Sequence, residues 1–227
     1  MKGKFRIITE GYERSFPVFT LWGILSPKDD NCSLMRGDVK KQEVRNMGDE
    51  VKRIGRELAY KGVILNVYKD HMSFANGNTA EWDFIHHDGA AAVVPVLDDG
   101  RILMVRQYRN ALERMTLEIP AGKLDDPKEA GIVCATRELE EETGYRSDDL
   151  EWLVTLRTTV AFCDEKIDIY VAKNLIPSKQ HLDEDEYVDV KAYTLQELKE
   201  MIFTGRIEDS KTMAAILAYE SKYLIQK

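Results

Sequence analysis

The sequence has little of what marks a disulfide framework, a zinc site or a membrane protein. Its three cysteines, Cys32, Cys134 and Cys163, lie far apart without a CxxC pair. This spacing argues against a disulfide framework and a zinc site, and it favours a reducing compartment. No apolar run approaches the roughly 18 residues that a membrane helix needs, and no signal-peptide core follows Met1. We therefore predict a cytoplasmic protein with no membrane partner.

The chain also lacks an excess of basic residues. Its 32 Lys and Arg against 40 Asp and Glu give a formal net charge of −8. Nucleic-acid binding depends largely on basic side chains that neutralise phosphates, so we expect no nucleic-acid partner. A small anionic ligand remains compatible with this balance, because a divalent metal on clustered carboxylates would supply local positive charge.

Two regions differ in their patterning. Residues 1–50 contain scattered aromatics, prolines and an Asp29-Asp30-Asn31 turn without a sustained helix or strand period, and we predict an N-terminal extension of unknown fold. Residues 51–227 are dense in regular patterns. A chain of 227 residues suits one domain of ordinary size with a small appendage.

Within 51–227, strand patterns alternate with helix patterns. The predicted strands span residues 58–68, 82–87, 90–97, 101–109, 152–160, 166–172 and 188–193. An Asn76-Gly77-Asn78 turn makes the first two an N-terminal β-hairpin region. The predicted helices span 127–143, 195–203 and about 210–224. This order predicts an α/β or α+β fold with a mixed sheet sandwiched between helices.

The first predicted helix has explicit boundary signals. Asp126 is the expected N-cap, Pro127 the first helical residue and Gly144 the residue after the end. At 100° per residue, Ile132, Ala135 and Leu139 form the expected core stripe.

Four glutamates occupy the last turns of this helix, where the helix dipole disfavours negative charge. Helical spacing places Glu138 and Glu142 on one flank with Glu141 beside them, whereas Glu140 falls on the other. Glu138, Glu141 and Glu142 could share a hard cation such as Mg²⁺, which prefers oxygen ligands. A bare run of glutamates is more often a solvated helix face, so the surrounding sequence has to decide.

That surrounding sequence resembles the Nudix box, whose pattern is G-x5-E-x7-R-E-U-x-E-E-x-G-U with U apolar. The match comprises Gly122, Glu129 and residues 137–145, RELEEETGY, which fit every specified position of the ending. One departure is visible, since six residues rather than five separate Gly122 from Glu129. The extra residue falls in the loop before the helix.

The resemblance implies a Nudix fold and a metal site. It implies that Glu138 and Glu142 ligate Mg²⁺, that Glu141 holds a metal or its water, and that the Ala121 carbonyl completes the shell. Mn²⁺ is a possible substitute. It also implies that Arg137 orients the glutamates, through Glu129; the alternative for Arg137 is a surface ion pair.

The similarity extends beyond the box to the ADP-ribose pyrophosphatase branch of the family. It is carried by GAAAVVP at 89–95, RQYR at 106–109, LEIPAG at 117–122, FCDEK at 162–166 and DEDE at 183–186.

This branch resemblance implies further roles. Arg109 would bind the substrate's phosphates, with Glu118 in the same substrate-binding set. Glu186, or else Glu184, would be the catalytic base or orient the water. Trp82 is the candidate adenine platform across a homodimer, although it could equally be a packing residue.

The expected reaction is Mg²⁺-dependent hydrolysis of a nucleoside diphosphate sugar, with ADP-ribose giving AMP and ribose 5-phosphate. GDP-mannose or another nucleotide sugar is the alternative substrate. A non-catalytic sensor of ADP-ribose is the alternative from another class, although the box retains all its glutamates. The sequence assigns neither the number of metals nor the phosphorus that is attacked.

Overall fold

A computed structural model describes residues 50–182 and 187–225 of the chain. Within these ranges the structure has twelve strands and three helices. The strands are β1 (Val51–Lys61), β2 (Asn66–Phe74), β3 (Thr79–His86), β4 (Ala90–Pro95), β5 (Ile102–Arg109), β6 (Arg114–Glu118), β7 (Ala121–Lys123), β8 (Tyr145–Arg146), β9 (Asp149–Arg157), β10 (Lys166–Lys173), β11 (Ile176–Pro177) and β12 (Asp189–Tyr193). The helices are α1 (Gly131–Thr143), α2 (Leu195–Phe203) and α3 (Ser210–Tyr223).

The central sheet has the strand order β7-β4-β10-β9 and is mixed, because β4 and β10 run parallel while the other pairs are antiparallel. Both faces of β4 are buried, as its apolar sequence predicts. Ala91 and Val93 belong to the clusters on the α1 side, whereas Ala92 and Val94 belong to the main core with α3. The expected Nudix fold, a mixed sheet between helices, is confirmed.

A second sheet has the strand order β12-β5-β6. The ends of its strands lie next to the central sheet. Its apolar side chains Ile102 and Met104 join the same core as Leu198 of α2 and Ile216 of α3. Strand β5 ends at Arg109 and β6 at Glu118, and these two residues begin the site described below.

The N-terminal region is a three-stranded antiparallel sheet, β1-β2-β3, rather than a two-stranded hairpin. The prediction of one strand over 58–68 is wrong, because a turn closed by the Gly62 N–H and the Leu65 carbonyl (2.8 Å) separates β1 from β2. The Asn76-Gly77-Asn78 turn is confirmed and joins β2 to β3, with Gly77 at φ +83°.

Helix α1 begins at Gly131, four residues after the predicted start. Asp126 does not cap it, because its side chain accepts from the Lys128 N–H and its carbonyl from the Glu129 N–H, each at 2.8 Å, and so builds a separate turn. Ala130 is the N-cap residue, with extended backbone angles. The Gly144 terminus is confirmed, since Gly144 adopts φ +69° and donates to the Glu140 carbonyl.

The buried face of α1 also differs from the predicted stripe. Ile132 is 45% exposed, whereas Cys134, Ala135 and Leu139 are fully buried. The stripe is therefore rotated toward the glutamates, which brings two of them to the sheet. None of the described helices is long and apolar enough to cross a membrane.

Candidate active site

Two glutamates of α1 lie almost fully buried beneath β7. Glu138 is 9% and Glu142 3% exposed, and the Ala121 N–H donates to Glu142 Oε2 at 2.9 Å. A Cβ added to Gly122 would overlap the Glu138 carboxylate, so any other residue at this position would displace that carboxylate from its place under β7. The site forms because α1 packs on β4 while β7 pairs with β4.

Arg137 compensates part of this negative charge. Its Nη1 contacts Glu138 Oε1 at 2.7 Å and Glu141 Oε2 at 2.9 Å, while Nη2 is 3.7 Å from Glu129. Burial alone would lower the pKa of Arg137, but the neighbouring carboxylates raise the pKa above its ordinary range. Arg137 therefore contacts two of the box glutamates directly and Glu129 at longer range.

Glu140 lies apart from this group, as helical spacing predicted. Its carboxylate accepts a hydrogen bond from the Ser178 hydroxyl at 2.5 Å. In residues 50–182 and 187–225, no three His, Cys, Asp or Glu side chains are grouped closely enough to hold a metal ion. Among these residues, Glu138 and Glu142 are the two glutamates of α1 that are buried beneath β7.

This donor set nevertheless fits a hard divalent cation. Mg²⁺ keeps several waters and usually takes only one or two protein carboxylates together with substrate phosphates. The two glutamates are one helical turn apart, and β7 lies directly over both, with its backbone within hydrogen-bonding distance of Glu142. Buried carboxylates next to a backbone strand suit such an ion by charge and by ligand chemistry.

A second charged group is built around Glu118, which is only 2% exposed at the end of β6. Arg109, from the end of β5, binds both its oxygens through Nε at 2.8 Å and Nη2 at 2.6 Å. The pKa of Arg109 is raised by Glu118 against the opposing effect of burial, and more weakly by Glu142. Of the α1 glutamates, Glu142 thus contributes to the electrostatic environment of Arg109.

Every acceptor position of the Glu118 carboxylate is occupied. Oε1 also accepts from the Thr116 hydroxyl at 2.7 Å, and Oε2 accepts from Lys211 Nζ. Burial would raise the pKa of Glu118, but hydrogen bonds and charge from Arg109 and Lys211 outweigh it and hold the pKa at about 2. Glu118 is consequently suited to hold Arg109 rather than to contact a ligand.

A cavity of about 410 Å³ lies at the Arg109–Glu118 group and reaches strand β7. It is lined by Arg109, Glu118, Ala121, Gly122, Lys211 and Arg206, among others. Of the predicted metal-binding residues, Ala121 lines this cavity, whereas Glu138, Glu141 and Glu142 are not among its lining residues. Such a volume is in the range of ligand pockets.

The candidate adenine platform lies away from this cavity. Trp82 is 49% exposed on β3, packs edge-on against Phe74 at 5.9 Å, and does not line this cavity. The candidate bases Glu184 and Glu186 lie outside the described residues. His86 and His87 both contact Asp164, through the His86 ring at 2.8 Å and the His87 N–H at 3.0 Å.

Sequence reasoning missed Lys211. One signal was present, because Asp209 is a typical N-cap residue and Lys211 therefore falls in the first helical turn, where the dipole disfavours a cation. An unfavourable charge at that position indicates a partner. The partner, Glu118, is 93 residues away in sequence and could not be identified from local pattern.

Comparisons with known proteins show the family and the fold of this chain. The family described as NUDIX domain matches residues 86–216. The methanol dehydrogenase activator of Bacillus methanolicus is 42% identical over 172 residues, which cover 74% of this chain and 91% of that protein. The ADP-ribose pyrophosphatase of Bacillus subtilis (strain 168) is 37% identical over 179 residues, covering 78% and 96%. The crystal structure of an ADP compounds hydrolase shares the fold, with a TM-score of 0.68 at 22% identity, covering 76% of this chain and 93% of that one.

The buried state of Glu118 predicts a pH dependence of stability. Because the folded pKa of about 2 lies below the ordinary 4.5, Glu118 stabilises the fold fully above pH 4.5 and loses this contribution as pH falls toward 2. The contribution is on the order of 3 kcal/mol, to within about 1 kcal/mol. Urea unfolding between pH 6 and pH 2.5 should show this loss in the wild type and a flatter profile in Glu118→Gln.

Glu151 provides the matched control, because its carboxylate is half-exposed and paired with Lys222. Glu151→Gln should leave the slope nearly unchanged, since solvent screens exposed pairs. Equal slopes in the wild type and Glu118→Gln would contradict the assignment.

Proposed function

We propose that this chain, which belongs to the Nudix hydrolase family, hydrolyses the pyrophosphate of a nucleoside diphosphate sugar, with ADP-ribose as its substrate. The observation that carries the proposal is the pair of buried glutamates, Glu138 and Glu142, beneath β7, the strand whose residues line the cavity together with Arg109. The likeness to a named ADP-ribose pyrophosphatase over nearly its whole length supports the substrate.

We propose Mg²⁺ as the cofactor, with Mn²⁺ as a substitute. Glu138 and Glu142 would hold the ion, together with the carbonyl of Ala121 and with water. When bound, a divalent cation neutralises phosphate charge and lowers the pKa of a coordinated water. Glu141, held by Arg137 at 2.9 Å, would bind through water or a second ion.

The protein side chains then orient the substrate. Glu118 engages Nε and Nη2 of Arg109, and within the described residues Nη1 makes no hydrogen bond, so it can donate to a phosphate oxygen. A glutamate of the acidic loop, Glu186 or else Glu184, would take the proton of the attacking water. The water oxygen forms a bond to phosphorus as the bridging P–O bond breaks, which yields AMP and ribose 5-phosphate.

The decisive experiment is a substrate panel. The pure protein with Mg²⁺ is offered ADP-ribose, GDP-mannose, other nucleotide sugars, NADH, diadenosine polyphosphates and 8-oxo-dGTP, and the products are identified by mass. We expect AMP and ribose 5-phosphate to form fastest. A faster reaction with GDP-mannose or another sugar would preserve the chemistry and overturn the proposed substrate.

The panel also separates the non-enzymatic alternatives. Binding of ADP-ribose without turnover of any compound would favour a sensor. The name of the B. methanolicus relative favours a second candidate, activation of a dehydrogenase. That role would gain support if the chain increased the turnover of methanol dehydrogenase while Glu142→Gln did so equally.

Glu142→Gln tests the metal site. The substitution removes a charged ligand but keeps an oxygen that can accept from the Ala121 N–H, so the fold should be nearly unchanged. We expect kcat to fall by at least about 100-fold and Mn²⁺ affinity, measured by electron paramagnetic resonance, to fall with it.

Glu140→Gln is the matched control on the same helix, since Glu140 binds Ser178 away from the cleft. It should retain both kcat and Mn²⁺ affinity. A near-normal kcat in Glu142→Gln would refute the metal assignment.

We further propose that the protein is a homodimer that acts in the cytoplasm, the latter on its cysteine usage. The β1-β2-β3 sheet leaves Ile54, Leu58, Tyr60 and Trp82 each about half or more exposed, an apolar surface suited to a second copy. From a partner, Trp82 could reach the adenine. Light scattering should give a mass near twice 26.1 kDa; a monomeric mass at working concentration would refute this proposal.

A further inference from the structure

Lys211 occupies an unusual position for a cation. It lies in the first turn of α3 and is 8% exposed, and it lines the same cavity as Arg109. A lysine so buried needs anionic partners, because desolvation of an unpaired ammonium is costly. Both partners are present, since Nζ donates to Glu118 Oε2 and to Asp209 Oδ2, the latter at 3.0 Å.

These contacts connect α3 to the end of β6 at more than one point. Asp209 caps α3 by accepting from the Thr212 N–H at 2.9 Å, and the Thr212 hydroxyl accepts from the Ile119 N–H at 3.0 Å. The ammonium of Lys211 is therefore fixed in place rather than mobile. Its distance to Glu118 is set by the packing of the helix start against the strand.

The charges of this group also matter. Arg109 and Lys211 are two cations facing two carboxylates, Glu118 and Asp209. Without Lys211, the guanidinium of Arg109 would be the one cation of this group against two carboxylates, and the group would become net negative. An anionic pyrophosphate would then meet repulsion where it needs a cation.

We propose that Lys211 is a positioning residue for phosphate binding: it fixes Glu118, which fixes the Arg109 guanidinium, and its charge leaves that of Arg109 available to the substrate. This inference rests on the proposed function, since it assumes that Arg109 binds a phosphate of the substrate. Lys211 itself acts through Glu118 and Arg109.

The test compares Lys211→Met, which removes the charge, with Lys211→Arg, which keeps it. Binding of the non-hydrolysable α,β-methylene analogue of ADP-ribose is measured by calorimetry with Mg²⁺, alongside KM and kcat for ADP-ribose. We expect Lys211→Met to raise Kd and KM by about tenfold, equivalent to one lost charge-assisted contact, with kcat changed much less. Lys211→Arg should restore most of the affinity.

Lys199→Met is the control for a purely structural effect. Lys199 pairs with Glu220 at 2.7 Å between α2 and α3, is partly buried, and does not line the cavity. It should lower Tm without changing Kd. If Lys211→Met likewise lowers Tm while Kd stays at the wild-type value, the positioning role is overturned.

A readout without ligand covers the case in which Lys211→Met fails to fold. In Lys211→Gln, which keeps a donor but no charge, the Nε–H resonance of Arg109 should lose its protection from solvent exchange. Unchanged protection would overturn the inference. Wild-type protein that neither binds the analogue nor hydrolyses ADP-ribose would refute the proposed function, whereas normal wild-type turnover with an insensitive Lys211→Met would refute the positioning role alone.

Discussion

The structure depends on the compensation of buried negative charge. Glu118, Glu138 and Glu142 are each less than a tenth exposed, and a buried carboxylate without a partner would cost several kcal/mol. The fold surrounds them with cations and backbone donors that come from separate elements: Arg137 on α1, Arg109 on β5, Lys211 on α3 and the β7 backbone. The packing of these elements against one another therefore also places the charged groups of the candidate site.

The central part of the fold could be predicted from the sequence because the patterns that indicate its strands and helix ends are local. Strand β4 is a continuous apolar run, and α1 ends at a glycine with φ +69°. The beginning of α1 was not predicted correctly, because an aspartate such as Asp126 can either cap a helix or close a turn. In the structure, residues 125–129 form a turn. The strand predicted over 58–68 failed for a similar reason, since Gly62 closes a turn within an otherwise continuous β pattern.

The candidate site was likewise predicted where its signals are local and missed where its contacts are long-range. The helix spacing separated Glu140 from Glu138 and Glu142, and the structure confirms that separation. Helical spacing also places Glu141 next to Arg137, whereas the contact of Arg137 with the adjacent Glu138 depends on side-chain geometry that spacing does not specify. The pairing of Glu118 with both Arg109 and Lys211 joins three elements, and no periodicity in the chain reports such long-range contacts.

The long-range contact between β6 and α3 has a consequence for biosynthesis. A ribosome makes β5, β6 and the glutamate helix well before it makes α3, so a growing chain has Glu118 without Lys211. During that interval the Glu118 carboxylate has one cation rather than two, and the end of β6 lacks the hydrogen bond to Thr212. If Lys211 positions Arg109 as proposed, the arrangement that binds phosphate is complete only after α3 has been synthesised.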